Sequence, residues 1–149
     1  MAKIILNKDY GGFLASYKAH QLYAKRKLGI DKIYIYKFYV DEVKDESGYF
    51  VKYKHYYKKE DADQGIFNCY VLKDLGDVVQ TLDTEYILCL DGNYREDPIL
   101  ISLVEELGDE VNSSFSSLKV VEIPDELIGN YMIDDYDGWE TLHQKVVEY

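Results

Sequence analysis

The chain has 149 residues, 47% of them hydrophobic, which is enough to bury a sizeable core. Its net charge of −11 is uneven: residues 1–75 carry 14 Lys+Arg against 10 Asp+Glu, and residues 76–149 carry 3 against 18. Such an acidic half argues against direct duplex DNA binding, which needs clustered cations to neutralise phosphates, and it suits a basic partner. No apolar run approaches the roughly 20 residues of a membrane helix, and the N-terminus lacks the apolar core of a secretion signal. One cytoplasmic domain spanning 1–149 is therefore expected.

Read in chain order, Ala2 to Leu6 is a short apolar strand, followed by the turn Asn7-Lys8-Asp9-Tyr10-Gly11-Gly12-Phe13. Ser16 to Leu28 reads as an amphipathic helix, with Lys25, Arg26 and Lys27 in its last turn and Gly29 as C-cap. The period then changes. Ile33 to Val40 and Tyr49 to Tyr57 are rich in aromatic and β-branched residues and read as an antiparallel hairpin around the polar loop Asp41 to Gly48. Ile66 to Leu72 and Glu85 to Leu90 follow as strands, each holding one cysteine, Cys69 and Cys89, expected as reduced, buried apolar residues. Asp97-Pro98 opens a second helix, with an apolar stripe of Ile99, Leu100, Leu103, Val104 and Leu107 and a stop at Gly108. Leu118 to Ile123 is a strand ended by Pro124, and Tyr131 to Tyr136 a further strand that turns at Asp137-Gly138. The tail from Trp139 to Tyr149 fits either a strand or a short helix. The order β-α-β-β-β-β-α-β-β predicts an α+β fold: a mixed, mostly antiparallel sheet with two main helices.

Two glycine-containing loops carry the candidate site. In the first, Gly11 and Gly12 permit positive φ, and Lys8 with the loop amides could hold an anion; the same residues also make a tight turn plugged by Phe13. The spacing matches no standard nucleotide-binding motif. The second loop, Asp91-Gly92-Asn93-Tyr94-Arg95-Glu96-Asp97, holds the only Arg or Lys between Asp74 and Ser117. Arg95 there is a candidate phosphate clamp or the partner of Asp91 or Glu96. Asp134, Asp135, Asp137 and Glu140 form a candidate acidic surface beside Trp139, a candidate binding anchor. A calcium loop aligned on Asp135, Asp137 and Gly138 would place Ile133 and Gln144 at the essential first and twelfth positions, so no metal is expected. His20, His55 and His143 have no ligand spacing, and no catalytic set or cofactor is expected.

The segments Lys3-Ile4-Ile5-Leu6-Asn7 through Tyr10-Gly11-Gly12-Phe13, Asp97-Pro98, Val104-Glu105-Glu106-Leu107-Gly108, Val120-Val121-Glu122-Ile123-Pro124 and Tyr136-Asp137-Gly138 resemble a family of small, largely uncharacterised proteins of tailed phages and prophages. The resemblance covers about the first 30 and last 50 residues; the tyrosine-rich middle lies outside it, and Asp9 stands where many members carry cysteine. It implies a viral protein acting in the host cytoplasm. The expectation is a non-enzymatic binding protein that inhibits a host antiviral defence, anti-CRISPR-like or otherwise. Its acidic, tyrosine-rich surface would engage a host nuclease or immune effector complex. Two alternatives stand beside it: a sponge for a nucleotide-derived immune signal, and a small enzyme acting on nucleotides or nucleic acid.

Overall fold

A computed structural model describes residues 1–62 and 68–144, and over them the chain is an α+β protein. The order is β1 (Ala2–Asn7), α1 (Tyr17–Leu28), β2 (Tyr34–Lys44), β3 (Phe50–Glu60), β4 (Asn68–Val71), β5 (Val78–Val79), β6 (Ile87–Leu88), α2 (Pro98–Leu107), β7 (Leu118–Ile123), β8 (Tyr131–Tyr136) and β9 (Trp139–Gln144). These form two compact units, Met1–Gly29 with Leu90–Tyr149, and Ile30–Cys89.

In the first unit β1 and β7 pair antiparallel, with Ala2 opposite Ile123 and Asn7 opposite Leu118. Ile4, Leu6 and Ile123 point to one face and pack with Leu127, Ile133 and Leu142, so the β8–β9 hairpin covers that side. Strand alternation sends Lys3 and Ile5 to the other face, where Lys3 pairs with Glu105 of α2 and Ile5 is fully buried. Each such isoleucine or leucine contributes about 1.5–3 kcal/mol on burial. Both helices are capped by the residues that announce them. The Ser16 hydroxyl accepts from Ala19 N at 3.2 Å, and Gly29 closes α1 at φ 71°. The Asp97 carboxylate accepts from Ile99 N and Leu100 N at 2.9 and 3.1 Å and also from the Tyr23 hydroxyl at 2.8 Å, which ties the start of α2 to α1. Gly108 ends α2, and a 3₁₀ turn over Gly108–Val111 follows.

The second unit is an antiparallel sheet in the order β5-β3-β2-β4-β6. Its anchor is Tyr36, fully buried, whose hydroxyl donates to Gly76 O at 2.7 Å and accepts from Leu75 N at 2.9 Å. β4 pairs with β2 only over Tyr34–Lys37, and β5 with β3 only at Tyr57 and Lys58. From Phe38 to Lys44 and from Phe50 to Tyr56 the strands pair only with each other, as a two-stranded ribbon.

Several boundaries differ from the sequence expectation. The first hairpin strand runs through to Lys44, because the reversal needs only Asp45 to Tyr49: the Asp45 carboxylate accepts from Ser47 N and Tyr49 N. The second runs on to Glu60, because Lys58, Lys59 and Glu60 stay paired with Lys37, Tyr36 and Ile35. The stretch Glu85 to Leu90 is extended only at Ile87–Leu88, since Asp83 caps a 3₁₀ turn over Thr84–Tyr86. Cys89, expected inside, is exposed beyond the end of β6, whereas Cys69 is half-buried and burial pushes its thiol pKa up. The start of the tail is strand β9; its last five residues, like Ile66 and Phe67 of the expected strand, lie outside the described residues.

Candidate functional site

Asn7, at the end of β1, is fully buried and organises three segments. Its Nδ2 donates to Gly138 O at 2.6 Å and Asp9 O at 3.0 Å, its Oδ1 accepts from Ser117 N at 2.9 Å, and its backbone N donates to Glu140 Oε1 at 2.8 Å. A buried asparagine with its amide group fully used holds the start of β7 and the β8–β9 turn against the Asn7–Phe13 loop.

Glu140 is the second organiser. The Arg95 guanidinium meets it two-pronged, Nη1 to Oε1 at 3.1 Å and Nη2 to Oε2 at 2.9 Å, and Nη1 also donates to Ile5 O at 3.0 Å. Arg95 O accepts from Ile5 N at 2.9 Å, and the guanidinium lies 5.3 Å from the Phe13 ring centre. Glu140 was expected on the acidic surface; it is only 4% exposed. Its register position explains this: it shares a β9 face with Leu142, the face that covers the core, and there the largely covered Arg95 guanidinium offsets its charge. The partner of Arg95 is thus Glu140, 45 residues away, rather than Asp91 or Glu96. Lys8 is similarly engaged: its ammonium donates to Glu140 O and lies 5.8 Å from the Trp139 ring centre.

The glycine turn is a close backbone junction. Gly11 and Gly12 sit at φ 133° and 135°, and Gly11 N donates to Asp137 O at 2.6 Å. A Cβ on Gly11 would lie 2.6 Å from the Phe115 Cβ, and one on Gly138 would lie 2.5 Å from Gly11 N. Helix α1 begins only at Tyr17, behind its Ser16 cap, so the Gly11 amide serves the β8–β9 turn instead of a helix N-terminus. In the second loop the Asp91 carboxylate accepts from Asn93 N at 3.0 Å to cap a 3₁₀ turn, and the Tyr94 ring meets Tyr23 edge-on at 5.7 Å. Both loops converge on Arg95, Phe13 and Ile5.

On this rigid base lies an exposed aromatic surface. Tyr10 (57% exposed) meets both Trp139 (39%) and Tyr136 (74%), its ring centred 5.6 Å from the first and 6.4 Å from the second; Phe115 (57%) flanks Gly11. Asp9, Asp134, Asp135 and Asp137 belong to the same segments. Asp134 pairs with His143 at 2.8 Å, and the Asp135 carboxylate accepts from Gly138 N at 2.6 Å. Asp137 adopts φ 50° to complete the turn. Sequence reasoning missed Phe115 and Tyr136 as site residues. The available signal for Phe115 was a lone aromatic within the polar run Ser113-Ser114-Phe115-Ser116-Ser117. Among the described residues no three His, Cys, Asp or Glu side chains converge as metal ligands, and no helix is long and apolar enough to cross a membrane.

Comparison of the chain with protein-family models, with curated proteins and with solved structures finds no match.

Proposed function

We propose that this chain is a phage- or prophage-encoded, non-enzymatic binding protein that inhibits a host antiviral defence in the host cytoplasm. The phage origin rests on the sequence resemblance alone. The binding role rests on one observation: Tyr10, Phe115, Tyr136 and Trp139 stand exposed on a backbone junction locked by Asn7 and by the Arg95–Glu140 pair. Tyrosine and tryptophan dominate the energetics of protein interfaces, and anchors that are already ordered lose little entropy on binding. The aspartates among them favour a host protein with a basic surface, such as the nucleic-acid channel of a nuclease or effector complex. A nucleotide sponge built on Lys8 and Arg95 is the weaker reading, since both cationic groups are already engaged by Glu140.

The test is phage plating on a host that carries a nuclease-based defence and expresses the chain. The wild type restores plaques, and Tyr136→Ala with Trp139→Ala does not, although the variant accumulates to the same level. Co-purification of the defence nuclease weakens as salt rises. Equal protection by the variant would refute the role of this surface.

A further inference from the structure

One face of the β2–β3 ribbon, together with the Lys37 and Lys58 row at its base where β4 and β5 also pair, carries an unusual arrangement of cations. In register order its cross-strand rows are Lys37 opposite Lys58, Tyr39 opposite Tyr56, Asp41 opposite Lys54 and Val43 opposite Lys52. The two tyrosine rings stack at 5.5 Å with 13° between their planes. The Lys37 and Lys54 ammonium groups lie 5.7 and 5.9 Å from the Tyr39 and Tyr56 ring centres.

The carboxylates of this face are occupied by hydroxyls: Tyr39 donates to Glu60 and Tyr56 to Asp41. Elsewhere Lys3, Lys18, Arg26, Lys59 and Arg95 each meet a carboxylate. Lys37, Lys52, Lys54 and Lys58 form no ion pair among the described residues. Two lysines directly opposite each other across a ladder destabilise it; the Tyr39 ring beside Lys37 offsets part of that cost, and a bound polyanion would offset the rest.

We propose that this ribbon face binds single-stranded nucleic acid, with the lysines on the phosphodiester backbone and the tyrosine stack as a platform for bases. Lysines interleaved with aromatic rings are the chemistry such ligands select, because every base has a π-face and every linkage a charge. The four lysines span three row spacings, about 20 Å along the strands, which is room for several nucleotides and not for a lone phosphate. The face uses no residue of the Tyr10–Trp139 surface, so it stands or falls separately from the proposed function.

Fluorescence anisotropy of the full chain with labelled oligo(dT) and oligo(U) tests it, using strands of about 12 nucleotides, within the usual site sizes of single-strand binders. The expected result is binding at low salt whose log K falls with log salt at a slope of about −3, the value for four lysines on a single strand. Lys37→Glu with Lys58→Glu weakens it at least about tenfold, and so does Lys52→Glu with Lys54→Glu, which decides the matter should the first variant fail to fold; either loss is about 1.4 kcal/mol or more. Tyr56→Leu reduces affinity for the oligonucleotides and leaves inorganic polyphosphate binding unchanged. Binding of both strands assigns the shared backbone as the determinant, and preference for oligo(U) assigns the 2′-hydroxyl. No binding at low salt, unchanged binding by a folded charge-reversal variant, or equal preference for a polyglutamate peptide would overturn the proposal.

Discussion

Acid should unfold this protein partly through a single imidazole. His20 is fully buried in α1. Its Nε2 lies 3.0 Å from Leu90 N, and its Nδ1 lies 2.8 Å from Ser16 O. Leu90 N can only donate, so Nε2 must accept and the ring is the neutral tautomer with its proton on Nδ1. Protonation would turn Nε2 towards Leu90 as a second donor. Burial accordingly pushes the His20 pKa down from its ordinary 6.5 to about 4, against the Ser16 carbonyl, which raises it. The folded value lies below the unfolded one, so the unfolded chain takes up the proton first. The contribution of neutral His20 is complete above pH 6.5 and declines as pH falls from 6.5 to about 4, below which it is flat. The fall from 6.5 to about 4 amounts to about 3 kcal/mol of stability, a large fraction of the roughly 5–15 kcal/mol that holds a domain together.

His20→Phe keeps the ring volume and removes the titration. At neutral pH it leaves Leu90 N buried without its imidazole acceptor, a cost of about 1–3 kcal/mol. Urea unfolding of both proteins across the acid range isolates the effect, because the carboxylates titrate alike in the two. The wild-type advantage should shrink by about 3 kcal/mol between neutral pH and about pH 4 and reach zero or reverse. Parallel stability profiles, or an NMR titration of His20 centred near its ordinary pKa, would refute the reasoning.

Three further outcomes follow from the site. Glu140→Gln or Arg95→Ala leaves one buried group without its charge partner and should cost about 3–5 kcal/mol by denaturant unfolding, whereas an apolar replacement of both should cost less than either alone. Gly138→Ala forces a Cβ into the Gly11 backbone at φ 95° and should destabilise by at least about 1–3 kcal/mol, read as a lower melting temperature. Tyr36→Phe removes the hydroxyl bonded to Gly76 and Leu75 and should cost about 1–3 kcal/mol with the second unit's sheet losing amide protection first.

What could be read without coordinates is what depends on neighbours a few residues apart. The Asp97-Pro98 start of α2, the Ser16 and Gly29 ends of α1, the Pro124 stop after β7 and the period-two aromatics of β2 and β3 are satisfied by local donors, local φ values and local alternation. They made the α+β fold legible, and the acidic second half and the two glycine loops were legible for the same reason. The two-residue strand β5 was not, because so short a stretch carries no period of its own and is held by its partner strand; β6 was expected within Glu85 to Leu90, but its shortening to Ile87–Leu88 was not.

The site divides along the same line. Its residues Asn7, Gly11, Gly12, Arg95 and Trp139 could be nominated from their types and spacing, but their roles could not. Asn7 bonds to Gly138 across 131 positions and Arg95 to Glu140 across 45, and nothing local to either end encodes the other. Sequence alone determined that glycine turns, an acidic second half and abundant tyrosine belong to this chain. Only the tertiary structure decided that Glu140 turns inward to hold Arg95 while Tyr10, Phe115 and Tyr136 turn outward. Which face a side chain takes is set by register and by which distant charge is there to compensate its burial.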